Sequence, residues 1–193
     1  MKIALTGAGG TGKTTLAKYI SEKWGLPYAG SVSREVFAEL GIANELAQQN
    51  MTKADILKLQ WAIYERRKQN LEKMPAFVTD RLALDNYVYA LRRCGEALDE
   101  PTRRRWEEGM VEDLYAADLV LYCPVGLFET SDDGMRQTDV AHQRLIDAAI
   151  YGMLCKHAFD KMAAHVYIVN MADLDRRKKY IDAFISELTA LES

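Results

Sequence analysis

At 193 residues the chain has room for one α/β domain with a well-buried core and is short for two ordinary ones. A hydrophobic content of 49% with 27% charged residues excludes a disordered chain, and no apolar run reaches membrane-spanning length. The formal net charge of −3 sets up no global field for nucleic acid.

The first fifteen residues are the most informative. Lys2–Thr6 reads as a short apolar strand and runs into Gly7-Ala8-Gly9-Gly10-Thr11-Gly12-Lys13-Thr14-Thr15, a G-x-x-x-x-G-K-T loop opening a helix that carries Leu16, Ala17, Tyr19 and Ile20. Glycines let successive backbone N–H groups turn inward as an anion-binding nest, and the following helix adds its unpaired amides and its dipole. Gly7, Gly9, Gly10, Thr11, Gly12, Lys13, Thr14 and Thr15 are therefore the candidate nucleotide-binding residues, with Lys13 reaching the β- and γ-phosphates and the Thr14 hydroxyl ligating Mg²⁺.

A second strand is expected over Leu26–Ala29, followed by Gly30-Ser31-Val32-Ser33-Arg34-Glu35. On the acceptor side of a P-loop cleft, Arg34 and Glu35 are candidates for substrate binding, with Glu35 also a candidate base. Thr52-x-x-Asp55 predicts a capped helix carrying Ile56, Leu59 and Ile63 on one face. The third strand, Ala76–Thr79, ends in Asp80-Arg81. Ligands sit at strand ends on the carboxyl edge of an open α/β sheet. Asp80 there can hold Mg²⁺, directly or through water, or accept a proton from an attacking hydroxyl, and Arg81 is a forked donor for phosphate or carboxylate. Asp85 lies four residues after Arg81, where an ion pair with Arg81 and a contact to substrate are equally consistent readings.

The fourth strand spans Asp118–Cys123. A polar, charged stretch at about 128–139 includes Ser131-Asp132-Asp133-Gly134-Met135-Arg136 and is placed to be a mobile lid that excludes water, with Arg136 neutralising charge on the phosphoryl group in transit. Ile146, Ala149, Ile150, Met153 and Leu154 mark the next helix, His165–Val169 the fifth strand, and Ile181, Phe184, Ile185 and Leu188 the last helix. Strands alternating with helices imply parallel crossovers and a sheet covered on both faces, within a single domain over residues 1–193.

The remaining features are less specific. The basic runs Arg66-Arg67-Lys68, Arg92-Arg93, Arg103-Arg104-Arg105 and Arg176-Arg177-Lys178-Lys179 each read alone as solvated helix faces. Cys94, Cys123 and Cys155 lack metal-type spacing and read as reduced thiols of a cytoplasmic protein, and no charged-then-apolar leader precedes the first strand. His142, His157 and His165 form no ligand pattern, so no structural metal is expected. Trp61, Tyr64, Tyr87 and Tyr89 are core candidates, of which one or two can stack on a base.

A P-loop does not name a reaction. The chain has no N-K-x-D base-reading motif of a GTPase, and its third strand ends Thr-Asp-Arg where a motor ATPase shows Asp-Glu. Taken together, the Gly7–Thr15 loop, Arg34-Glu35, Asp80-Arg81 and the Asp133-Gly134-x-Arg136 lid resemble the nucleoside/nucleotide-kinase branch of P-loop proteins. The chain looks most like the small AAA-type ATP-binding kinases of bacteria and phages, which are similar to nicotinamide-riboside kinases and to deoxynucleoside and thymidylate kinases. Relatives place a Glu where this chain has Ser31, which moves the expected base to Asp80, with Glu35 second.

The resemblance implies a three-layer α/β/α P-loop kinase fold with a five-stranded parallel sheet in the order 2-3-1-4-5. It also implies ATP- and Mg²⁺-dependent transfer to a nucleoside, nucleotide or related acceptor. Lys13, Asp80 and Arg136 would be catalytic, Thr14 and Asp80 would hold the metal, and Arg34, Glu35, Arg81 and Asp85 would bind the acceptor. Two other readings stand beside it: a phage-type kinase acting on a hydroxymethylated pyrimidine within DNA, with the Arg92-Arg93 and Arg103–Arg105 runs on the backbone, and a nucleotide-responsive regulatory ATPase.

Overall fold

The computed structural model describes residues 1–30, 32–42, 46–127, 139–159 and 165–191. Five strands, β1 (Lys2–Thr6), β2 (Tyr28–Ala29), β3 (Phe77–Thr79), β4 (Leu119–Tyr122) and β5 (His165–Ile168), form one all-parallel sheet in the order β2-β3-β1-β4-β5. Seven helices are described: α1 (Lys13–Trp24), α2 (Val32–Glu39), α3 (Lys53–Glu72), α4 (Ala83–Cys94), α5 (Glu100–Ala116), α6 (Val140–Leu154) and α7 (Leu174–Leu191). The expected fold class and strand order are those observed.

Side-chain alternation along the strands builds the layers. Ile3 and Leu5 of β1 pack with Leu119 and Leu121 of β4 against α1 and α7, through Leu16, Ile20, Ile181 and Ile185. Ala4, Val120 and Tyr122 face the other way, onto a core built from Leu84, Val88, Trp106, Met110, Ile146 and Ile150. The sheet is thus buried on both faces, as parallel sheets require. On α6 the buried face is narrower than its pattern predicts: Ile146, Ile150 and Leu154 are buried, whereas Ala149 is exposed.

β1 spans its whole apolar run, whereas β2 to β5 are one or two residues shorter than theirs. Asp118 and Cys123 flank β4 and donate backbone N–H groups to Lys2 and Thr6, while Val78 takes the Pro27 carbonyl just before β2. The Thr52 cap forms as expected: its hydroxyl accepts from the Asp55 N–H at 3.2 Å and donates to the Asp55 carboxylate at 2.7 Å. The chain makes two helices, α4 and α5, before β4, and Asp99 caps α5 by accepting from Thr102 N–H at 2.8 Å.

Two of the basic runs each hold one buried arginine. Arg67 is buried and pins α3 to α4 and α5 through Asn86 at 2.6 Å and Asp113 at 3.0 Å. Arg177 is buried at the base of α7. In each case carbonyl, amide or carboxylate oxygens from other elements replace water around the guanidinium, and a sequence run does not show these partners. In the Arg103–Arg105 run, Arg103 is half-buried and Arg104 and Arg105 are exposed, and the three guanidinia pair with Glu100, Glu100 and Glu65. None of the described helices is long and apolar enough to cross a membrane.

Candidate functional site

The G-x-x-x-x-G-K-T loop joins β1 to α1 at the carboxyl edge of the sheet. Gly7 sits at φ +137, and a Cβ there would lie 2.3 Å from the Cys123 carbonyl oxygen at the end of β4. Only a residue without a side chain lets the loop pass so close. Gly12 adopts a left-handed φ of 80 and caps α1 without any side-chain hydrogen bond, and no acidic residue occupies the first turn. The helix N-terminus therefore keeps its donors and its partial positive charge for an anion.

Lys13 is buried, and its Nζ donates to the Ala8 carbonyl at 2.5 Å and to Thr11 Oγ1 at 3.1 Å. It folds over its own loop, where a phosphate would compete for it. Burial, with Arg81 adding repulsion, pushes the Lys13 ammonium down to about 7, against the opposing pull of Asp85, Cys123 and Asp80. Thr14, the next residue, donates its hydroxyl proton to Asp80 Oδ2 at 2.5 Å. The same oxygen accepts from the Tyr28 hydroxyl at 2.9 Å. Thr15 is exposed one position further along the helix.

Arg81 and Asp85 do meet, at 3.2 Å, and Arg81 also donates to the Gly7 carbonyl at 3.2 Å. The Asp85 carboxylate is buried and accepts from the Thr6 hydroxyl at 2.9 Å and the Leu82 N–H at 2.8 Å, with Gly7 N–H at 3.4 Å. It thus ties the start of α4 to the end of β1. One turn further on, the Tyr89 hydroxyl accepts from Gly9 N–H at 3.2 Å, and the guanidinia of Arg81 and Arg93 lie 5.5 and 5.4 Å from its ring centre.

Arg34 and Glu35 lie on the exposed side of α2. Arg66 of α3 is bonded to Glu39, which chiefly holds its charge, and Glu35 adds a smaller electrostatic contribution. Among the described residues neither is hydrogen-bonded to Lys13, Thr14 or Asp80. Arg136, Asp133 and Gly134, the expected lid residues, and Ser31 lie outside the described residues; Asp139 at the end of the lid caps α6 by accepting from Ala141 N–H at 2.9 Å. Of the four candidate aromatics, Tyr64 and Tyr87 are buried with Trp106, whereas Trp61 and Tyr89 are partly exposed.

Several residues at the site have no local sequence signal. Arg177 reaches from α7 to the Thr11 carbonyl at 2.9 Å and to the Met171 carbonyl at 2.5 Å, so it buttresses the loop from the side opposite Asp85. Gln48 and Gln60 are buried beside Arg93, whose guanidinium donates to Gln48 Oε1. Asp147 of α6 faces the Tyr122 hydroxyl and the backbone N–H groups of Val125 and Ala8; burial nonetheless pushes its carboxyl up. Among the described residues no cluster of three His, Cys, Asp or Glu side chains is suited to a metal. The oxygens of Thr14 and Asp80 are hard donors of the kind Mg²⁺ takes from a protein when phosphates and water complete its shell, so the pair fits that ion.

A parallel sheet in this order, with the loop at its carboxyl edge and Thr14 joined to the acid that ends β3, defines a P-loop protein of the kinase fold. A family model described as an AAA domain matches residues 2–177, and the chain belongs to that family. No curated protein matches it by sequence. Among solved structures, the deoxyadenosine kinase from M. mycoides with bound dCTP superposes with a TM-score of 0.69 at 16% identity, covering 97% of this chain and 100% of that one. Thymidylate kinase from Candida albicans gives 0.64 at 13% identity, over 97% of this chain and 91% of its own. The NadR protein in complex with NR gives 0.65 at 21% identity, over 94% of this chain and 50% of NadR.

Proposed function

We propose that the protein is an ATP-dependent kinase that transfers the γ-phosphoryl group to a nucleoside, nucleotide or closely related acceptor. The observation that carries this reading is the Thr14–Asp80 contact beside a buried Lys13, with Arg81 and Tyr89 on the acceptor side of the same loop. The superposed enzymes act on nucleosides and nucleotides according to their names, and that supports the choice of acceptor class.

In this reading the nest amides of Gly9, Gly10, Gly12 and Lys13 and the first turn of α1, with Thr14 and Thr15, hold the phosphates of ATP. Lys13 exchanges its hydrogen bonds to Ala8 and Thr11 for the β- and γ-phosphates. Thr14 and Asp80 are the residues that would hold Mg²⁺, Asp80 directly or through water, and the ion would supply positive charge to the phosphates there. Asp80 orients the acceptor hydroxyl and is the first choice for its proton, with Glu35 second. Arg81 grips the acceptor, with Arg34 at the outer wall, and Arg136 covers the phosphoryl group in transit. Asp85 acts here by holding Arg81 and the P-loop strand in place.

The test is transfer of labelled γ-phosphate from ATP with Mg²⁺ to nucleosides, nucleoside monophosphates, nicotinamide riboside, and DNA with and without hydroxymethylated pyrimidines. Label on a small molecule supports the proposal and identifies the acceptor. Label retained on DNA replaces it with the base-modifying reading. ATP binding without transfer to any acceptor replaces it with a regulatory ATPase.

A further inference from the structure

We infer that Tyr28 is a positioning residue of this site, which locks the Asp80 carboxylate so that the Thr14 hydroxyl keeps its oxygen lone pairs for the metal, and that Gly30 is glycine to make room for the Tyr28 ring. The inference rests on the kinase reading only for the identity of the reaction, not for the geometry.

Tyr28 opens β2, in register with Val78 of β3, two residues before Asp80. Its hydroxyl and the Thr14 hydroxyl converge on one oxygen of Asp80, at 2.9 and 2.5 Å. Two donors from different elements, an edge strand and the P-loop helix, hold the carboxylate against rotation about its last torsion, because turning it would release both bonds. A threonine hydroxyl carries one proton and two lone pairs. With the proton committed to Asp80 Oδ2, the lone pairs are what remains for a cation. A phenol performs this task without adding charge, so the carboxylate keeps its full negative charge toward Mg²⁺.

Gly30 supplies an independent observation. A Cβ built on it would lie 2.0 Å from both Cζ and Oη of Tyr28. Its φ is not in the left-handed region, so backbone freedom is not what requires glycine here. The space is taken by the ring folded back toward Asp80. The pair Tyr28–Gly30 is therefore one device, in which the small residue fixes where the large one points.

The proposal is tested by calorimetric titration of ATP in Mg²⁺ and in EDTA, with steady-state turnover alongside, for the wild type, Tyr28→Phe, Gly30→Ala, Tyr28→Ala and the double variant Tyr28→Ala/Gly30→Ala. Tyr28→Phe keeps the ring and the fold. It is expected to leave affinity in EDTA unchanged, to lose about fivefold to tenfold of the Mg²⁺-dependent gain in affinity, and to raise KM for ATP by a similar factor while lowering kcat. Gly30→Ala reproduces that pattern in the wild type and adds nothing in the Tyr28→Ala background, where no ring is left to displace. Wild-type Mg²⁺ dependence in Tyr28→Phe overturns the assignment, as does a Gly30→Ala effect that survives the loss of the ring. If the wild type transfers phosphate to no acceptor while the Mg²⁺-dependent difference in ATP affinity persists, the kinase reading fails and the Tyr28 assignment stands.

Discussion

The hydroxyl of Thr14 and the carboxylate of Asp80 are 2.5 Å apart, joining the first turn of α1 to the end of β3 across 66 residues of chain. Asp80→Asn keeps the shape and removes the charge; turnover is expected to fall by about a hundredfold with a smaller loss of ATP affinity. Thr14→Ala should approach the same loss, whereas Thr14→Ser retains the hydroxyl and most of the activity. Equal losses for Ser and Ala would show that the hydroxyl is not what matters.

Lys13 gives a pH signature. Its ammonium is pushed down to about 7, chiefly by burial. Above that pH the free enzyme releases the proton, while a bound polyphosphate holds the charged form. The loaded state then carries more protons, so ATP affinity is expected to fall as pH rises above about 7, with net uptake of up to about one proton on binding. Calorimetry near pH 8 in buffers of different ionisation enthalpy measures that uptake directly. Lys13→Ala removes the group and should abolish transfer while the chain remains folded.

Gly7 is constrained in both conformation and space. Gly7→Ala places a Cβ 2.3 Å from the Cys123 carbonyl at a φ of +137, and a loss of about 3 kcal/mol is expected from strain and overlap together. Denaturant unfolding, followed by circular dichroism, measures it. A fully stable Gly7→Ala protein would mean that β4 yields more easily than its buried position implies.

For Asp85 the structure bears on the choice between ion pair and substrate contact. Its carboxylate is buried and accepts from Thr6, Leu82 and Arg81. Asp85→Ala strands those donors and should cost about 3 kcal/mol of stability. Asp85→Asn should cost less and leave KM for the acceptor nearly unchanged. A large rise in acceptor KM without loss of stability would instead make Asp85 a direct contact.

The sequence by itself determined the P-loop, the five apolar runs that become β1 to β5, the Thr52 cap and the acid that ends β3. All are legible because their physics is local: a nest needs consecutive amides, a strand buried on both faces is a short apolar run, and a cap spans three positions. Strand alternation alone left the order of the sheet open, and only the resemblance to P-loop kinases supplied it. Tertiary structure decided which side chains complete the site. Tyr28 meets Asp80 across 52 residues and Arg177 meets the Thr11 carbonyl across 166. Arg177 stands in a run of four basic residues that reads as solvated, and Tyr28 in a short expected strand with no signal of its own. Neither position shows a period or a motif, because its partner is brought to it by a crossover between strands. Burial then decides the chemistry of the groups so assembled: it lowers the affinity of Lys13 for its proton and encloses Asp85 among donors, and the amino-acid order alone records neither effect.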